Sequence, residues 1–216
     1  MTSATKSKPT PTPTPAMAPK ALRADAARNH EAILEAARER FAEEGTAAQM
    51  DDIAREAGVG VGTVYRHFPT KDDLIEALVA RRFELIAERG AAAVAAASDD
   101  AWAAFSEFMH FSVGLQASDR ALSQVLAGHP DLVQKHAEAS GTWDATVELV
   151  RLTKRAGALR KDAEPEDVPM VICGLGMVTE SQTDSPTMNW RRFLALVLEG
   201  LRAPGAAKLP KRPRSS

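Results

Sequence analysis

The chain has 216 residues, 44% of them hydrophobic and 26% charged, with a formal net charge of −2. That suffices for one globular unit or two small ones, and it supplies no global basic field that would advertise a nucleic-acid partner. A single cysteine, Cys173, excludes an intrachain disulfide, and no apolar run reaches the length of a membrane span or a secretory h-region, so a reducing, cytoplasmic setting is expected.

The first 22 residues contain TPTPTPAMAPK, an extended, solvated composition that cannot build a core. Its bland reading is a disordered arm. A sharper one is a DNA contact near the minor groove through Lys6, Lys8, Lys20 and Arg23. Ile33, Ala37 and Phe41 then recur at helical spacing in a helix that ends at Gly45. Met50, Ile53, Ala54 and Ala57 give a short helix one apolar face, and Asp51 and Asp52 sit in its first turn, where negative charge suits the helix dipole. Gly58 stands where a left-handed C-terminal residue is expected.

A second short helix is predicted over 61–67. Val59, Val64 and Phe68 face back toward the first, which leaves Gly60, Val61, Gly62, Thr63, Tyr65, Arg66 and His67 for the outside. Pro69 forbids continuation. Thr70-Lys71-Asp72-Asp73 has the form of a capping box with Asp in place of Glu, and it starts a helix carrying Leu74, Ile75 and Leu78. Two short helices joined by a glycine turn form a helix-turn-helix, and the second is of the size that enters a major groove. Charge argues the other way. Residues 20–90 hold 11 Lys+Arg and 14 Asp+Glu, a net of −3, so positive potential must come from local placement of Arg55, Arg66 and Lys71 and from helix N-termini.

Beyond residue 90 the chain is helical by period. Trp102, Phe105, Phe108, Met109 and Leu115 share a stripe near 99–116, and a short helix carries Leu122, Val125 and Leu126 up to Gly128-His129-Pro130. One longer helix is predicted over 131–156, a turn between Gly157 and Pro165, a helix over 165–182 with Val168, Val171, Ile172, Leu175 and Val178, and a last helix over 188–202 with Trp190, Phe193, Leu194, Val197, Leu198 and Leu201. The tail APGAAKLPKRPRSS, 203–216, is Pro-rich, basic and expected to be disordered.

Chemistry-bearing patterns are few. No Ser-His-Asp signature, phosphate loop, paired-carboxylate motif or metal-ligand spacing stands out, so no enzyme activity and no cofactor is expected. Gly174-Leu175-Gly176 lacks the third glycine and the preceding strand of a dinucleotide loop. A proline interrupts His129, Asp131 and His136, whose spacing is not that of a tight helical metal pair.

The segments AILEAARERFAEEG (32–45) and MDDIAREAGVGVGTVYRHFPTKDDL (50–74) closely resemble the N-terminal DNA-binding domain of the TetR family of transcriptional regulators. GTVYRHFPTKDDL is the most specific part, and the resemblance is strong over 24–90. Two departures from the family pattern stand out. Gln49 stands where a capping Thr or Ser is usual, and Gly60-Val61 replaces a hydroxyl residue followed by a polar base reader. Val61 can meet a thymine methyl but cannot read guanine.

The resemblance implies an all-α chain: arm 1–22, a three-helix helix-turn-helix DNA-binding domain over 23–70, a helical ligand-binding and dimerisation bundle over 71–202, and tail 203–216. It implies that Tyr65, His67, Thr70 and Lys71 hold phosphates while Val61, Gly62, Thr63 and Arg66 approach base edges. It implies a homodimer through the last two helices, with Val171, Leu175, Val178, Phe193, Val197 and Leu201 at the interface and Gly174 and Gly176 permitting close approach. Taken singly, Trp102, Phe105, Phe108, Met109, Trp143, Met170 and Met177 are core residues. As a group the resemblance makes them the lining of a ligand cavity, with His110 and Glu180 as candidate polar anchors.

The function so implied is a ligand-responsive regulator, a repressor released from a palindromic double-stranded DNA operator by a small hydrophobic or amphipathic effector. The alternatives are a constitutive DNA-binding protein without an effector and a helical protein–protein adaptor.

Overall fold

The computed structural model describes residues 19–180, 189–204 and 207–210. Among them are ten α-helices and one 3-10 turn. Helix α1 (Pro19–Glu44) buries Ile33, Ala37 and Phe41 completely, the four-residue stripe expected of it. After the 3-10 turn (Gly45–Ala47) come α2 (Met50–Glu56), α3 (Val61–His67) and α4 (Lys71–Ala96). The 26 residues of α4 span about 39 Å at the usual helical rise. The rest is α5 (Ala101–Ser118), α6 (Arg120–Ala127), α7 (Pro130–Ala139), α8 (Thr142–Arg155), α9 (Asp167–Glu180) and α10 (Trp190–Leu201). No helix among the described residues is long and apolar enough to cross a membrane.

The single helix expected over 131–156 is two helices, α7 and α8. Gly141 between them is at φ +79°, in the left-handed region. The Ser140 hydroxyl accepts from Thr142 N at 3.3 Å and lies 2.8 Å from Thr142 Oγ1, a local alternative to the helical ladder. Thr142 Oγ1 also donates to the Phe83 carbonyl at 3.2 Å, which fixes the break against α4.

Two apolar cores result. One gathers α1, α2, α3 and the first half of α4 around Phe41, Ile53, Val64 and Leu74. The other gathers the second half of α4 with α5, α8, α9 and α10 around Phe105, Phe108, Leu149 and Leu194. Helix α4 thus belongs to both. Leu122 and Val125 of α6 complete the first core although they lie in the C-terminal half of the sequence. The head is therefore roofed by an element of the body.

Residues 201–203 and 207–209 are pinned to the loop after α8. Arg160 N donates to Leu201 O at 2.9 Å and Ala203 N to Ala158 O at 3.0 Å. The Arg160 guanidinium pairs with Asp162 at 2.7 Å and also donates to the Gly200 and Ala207 carbonyls, while Leu209 N donates to Asp162 Oδ2 at 2.8 Å. Residues 207–210 run back over this loop through those bonds.

Candidate nucleic-acid interface and the cleft behind it

The turn between α2 and α3 closes by backbone bonds. Gly58 N donates to Arg55 O at 3.2 Å and Val59 N to Ala54 O at 3.0 Å, with Gly58 at φ +66°. This is the paired C-terminal closure for which glycine has no steric penalty. Gln49 makes no side-chain cap on α2; its amide donates to Ala47 O at 2.6 Å instead. Gly60 occupies the N-cap of α3 without a side-chain bond.

Val64 and Phe68 anchor α3 in the head core. Val61 and Tyr65, one turn apart, remain 40% and 46% exposed, and Gly62 and Arg66 are exposed beside them. Thr63 and His67 are half-buried. These six residues form the outward face of a helix held rigidly from behind. Arg66 makes no ion pair among the described residues, whereas Arg28, Arg38, Arg40 and Arg55 each pair with an acid on their own helix. Arg66 and Arg23 are thus the arginines of α1, α2 and α3 without an ion pair among the described residues, and Arg66 places uncommitted positive charge on α3.

Sequence reasoning missed His30. Its ring lies 5.7 Å from that of His67 and 5.0 Å from that of Phe68, centroid to centroid, so α1 braces the end of α3 through a cluster of three mutually tilted rings. The apolar stripe of α1, carried one turn back from Ile33 and Leu34, reaches His30 and could have shown it.

Two residues assigned to phosphates have internal partners. The Thr70 hydroxyl accepts from Asp73 N at 3.1 Å while Thr70 N donates to Asp73 Oδ2 at 2.9 Å, the expected capping box. Its hydroxyl proton also reaches Asp73 Oδ2 at 2.7 Å. The Lys71 ammonium donates to the carbonyls of Thr46 and Ala48 and lies 5.6 Å over the Phe41 ring. It staples the start of α4 to the turn between α1 and α2. Of the arm residues, Lys6 and Lys8 lie outside the described residues, as does the Lys20 side chain, and Arg23 is exposed.

The comparisons agree with this architecture. The family described as "Bacterial regulatory proteins, tetR family" matches residues 33–78, and "Transcriptional regulator SbtR-like, C-terminal domain" matches 100–203. A TetR transcription regulatory protein from Mycobacterium vanbaalenii is 34% identical, with 84% of this chain and 99% of that one covered at a TM-score of 0.62. The chain belongs to the TetR family of transcriptional regulators. A TetR transcriptional regulator from Streptomyces coelicolor is 28% identical, covering 82% of this chain and 99% of its own, at a TM-score of 0.60. Among curated proteins, an HTH-type transcriptional regulator from Staphylococcus aureus is 42% identical over 65 residues, 30% of this chain and 35% of that protein. The match thus spans about a third of the curated relative.

Of the residues expected to line a ligand cavity in this TetR-family chain, three are enclosed side chains of the second core. Phe105, Phe108 and Met109 are 0–2% exposed. All three belong to the second core, beside Leu149 and Leu194. Trp102 is half-buried beside Phe105, with the Arg202 guanidinium 5.2 Å over its ring, and Trp143 is half-buried on α8. Met170 is 71% exposed in the single chain. The Met177 and Glu180 side chains lie outside the described residues. His110 is exposed, with Nδ1 2.8 Å from Ser106 O of its own helix, and anchors nothing inside.

The dimer residues divide. Leu175 is buried in the core of its own chain and has no surface to offer a partner. Val171 and Leu201 are partly buried against that core and Val197 is half-exposed, while the Val178 side chain lies outside the described residues. Phe193 is 38% exposed, and Leu196, which the sequence did not single out, is 61% exposed. Met170 of α9 is exposed as well, so both helices leave apolar side chains uncovered in the single chain. Gly174 is open, but Gly176 is not: its close approach is to Gln116 of α5 in the same chain. Among the described residues no three metal-ligating side chains gather; His129 Nδ1 lies 2.8 Å from Val125 O, and His136 lies 3.4 Å from Glu76.

Behind the head lies a cleft of about 460 Å³ between α1, α4, α5 and α6. Its deepest polar group is Arg82, which is 5% exposed. Its guanidinium donates to Ser123 Oγ at 3.2 Å and Gln116 Oε1 at 3.4 Å, and it makes no ion pair among the described residues. Burial pushes this guanidinium below the ordinary arginine range, and the nearby Asp119 offsets the shift in part. Asp119 itself caps α6 through Leu122 N at 3.4 Å and faces Arg38 of α1 at 3.9 Å.

Proposed function

We propose that this chain is a DNA-binding transcriptional repressor that works as a homodimer and leaves a palindromic operator when a small molecule binds. The observation that carries the reading is the outward face of α3. Val61, Gly62, Thr63, Tyr65, Arg66 and His67 are offered together on a short helix braced by Val64, Phe68 and His30. A two-fold dimer presents two such helices to successive major grooves. Val61 and Thr63 suit a thymine methyl and a base edge, Arg66 a guanine or a phosphate, and Tyr65 and His67 phosphates. Met170, Phe193 and Leu196 supply uncovered apolar side chains that a partner α9–α10 pair would bury.

Release requires an effector that binds two arrangements of the head with different affinity; coupling energies of this kind are about 1–3 kcal/mol. The burial of Phe105, Phe108 and Met109 in the second core favours a second reading, a constitutive DNA-binding regulator with no effector. Footprinting on the DNA flanking the gene, repeated with a panel of amphipathic compounds, separates the two. A protected palindrome released by a compound supports the first. Protection that no compound alters leaves the second, and no protection overturns both.

A further inference from the structure

A buried arginine with only neutral acceptors is costly unless something anionic completes it. Arg82 is in that position. Two of its five N–H groups have acceptors among the described residues, one a hydroxyl and one an amide oxygen. The neighbouring guanidiniums are already committed. Arg38 pairs with Glu35 through two bonds, and Arg81 lies 3.5 Å from Glu84. The acids that share the cleft do not serve Arg82. Glu31 and Glu35 are exposed at its rim. The buried Asp119, whose charge offsets the burial of Arg82 only in part, makes no direct bond to it among the described residues and is turned to the Leu122 amide and Arg38. The walls beside Arg82 are Leu34, Leu78, Leu85, Leu115 and Leu122, with no aromatic side chain among the lining residues. Such walls conform to a flexible alkyl chain better than to a flat ring. The volume falls within the roughly 300–1,000 Å³ of ordinary ligand sites.

We propose that this cleft binds an aliphatic carboxylate, its carboxylate on the Arg82 guanidinium and its chain along the leucines. The planar fork of arginine matches a carboxylate in a bidentate pair. The consequence for DNA rests on the ligand-released reading above. The cleft lies between α1, which braces α3, and α6, whose Leu122 and Val125 complete the head core. A chain seated there separates α1 from α6 and draws Arg82 from Ser123 and Gln116. Both motions turn the head relative to the body, so the two recognition helices of a dimer lose the spacing of successive grooves.

The test uses the full chain and decanoate, 1-decanol and decylammonium, each below its micelle threshold, in calorimetric titrations. Decanoate is expected to bind at least about tenfold more tightly than either analogue, the margin of a hydrogen-bonded charge pair. Arg82→Gln is expected to remove that margin. Because Arg82→Gln can unfold the chain, Leu115→Trp, which fills the cleft and leaves the guanidinium, is the second variant and is expected to abolish decanoate binding. No binding by decanoate, equal affinity for the three headgroups, or unchanged decanoate affinity in a folded Arg82→Gln or Leu115→Trp protein overturns the site. Operator affinity is read separately. Decanoate bound in the cleft with unchanged operator affinity leaves the site standing and overturns ligand release.

Discussion

Gln116 of α5 occupies the space that a side chain on Gly176 of α9 would need. A Cβ built on Gly176 falls 2.6 Å from Gln116 Cγ and 2.7 Å from Cδ. The far end of the same side chain accepts from Arg82 at 3.4 Å. One glutamine therefore joins the helix carrying the exposed Met170 to the arginine behind the DNA-binding head. Gly176→Ala should displace Gln116 and cost about 1–3 kcal/mol, the usual cost of overpacking. In the Gln116→Ala background the same substitution should cost much less, because the obstructing side chain is gone. A thermodynamic cycle by chemical denaturation measures the coupling. Additive losses would place Gly176 and Gln116 in separate environments.

The head was legible because its signals are local. Gly58, the Thr70–Asp73 box and the period of Ile33, Ala37 and Phe41 each fix one element through residues a few positions apart. What the sequence hid depends on which side of a helix meets which neighbour. Leu175 and Phe193 are both large apolar residues on predicted interface helices, yet one is enclosed by its own chain and the other is not. Met170 and Met109 look alike in a stripe, and one is open while the other is fully buried. The break at Gly141 was passed over because the apolar period runs on either side of it. Arg82 carried no sequence signal at all, since its charge reads as a surface residue until α5 and α6 close over it.

Lys71 and Arg66 should differ when mutated. The Lys71 ammonium is committed to two backbone carbonyls and the Phe41 ring, whereas Arg66 is exposed and unpaired among the described residues. Arg66→Ala should lower the slope of log affinity against log salt by about 1 while leaving the melting temperature unchanged. Lys71→Ala should instead destabilise the head by about 1.5–3 kcal/mol, the worth of hydrogen bonds to a charged group, with an unchanged salt slope. A slope lowered by about 1 in Lys71→Ala would return this lysine to the phosphate contacts.

Assembly should respond to the exposed residues of α9 and α10 rather than to the buried one. Leu196→Glu and Phe193→Glu place charge on surface already open in the single chain, so the protomer should stay folded while the dimer dissociates. Leu175→Glu buries an unpaired carboxylate in the body core and should unfold it. Sedimentation and circular dichroism together read the two outcomes. A wild-type monomer at micromolar concentration, or dimers that survive Leu196→Glu and Phe193→Glu, would move the interface elsewhere.

Asp162 should hold residues 207–210 even in acid. Its bonds from Arg160 and then from Leu209 N keep its carboxyl well below the usual carboxylate range. A depressed carboxylate stabilises the folded arrangement fully above its ordinary value, near 4, and the contribution fades as pH falls from there through the lowered value. Between pH 5 and 8 the docking of 207–210 should not change. It should weaken below about pH 4 and persist in part at pH 3, because the folded value lies lower still. Asp162→Asn removes the charge at every pH, so it should free residues 207–210 at pH 7 and flatten the acid response. Limited proteolysis after Lys208 at pH 7, together with amide exchange of Leu209 from pH 3 to 7, reads both effects. Equal protection of Leu209 in the wild-type and Asp162→Asn proteins would show that the Arg160 bonds to the Gly200 and Ala207 carbonyls suffice without the carboxylate.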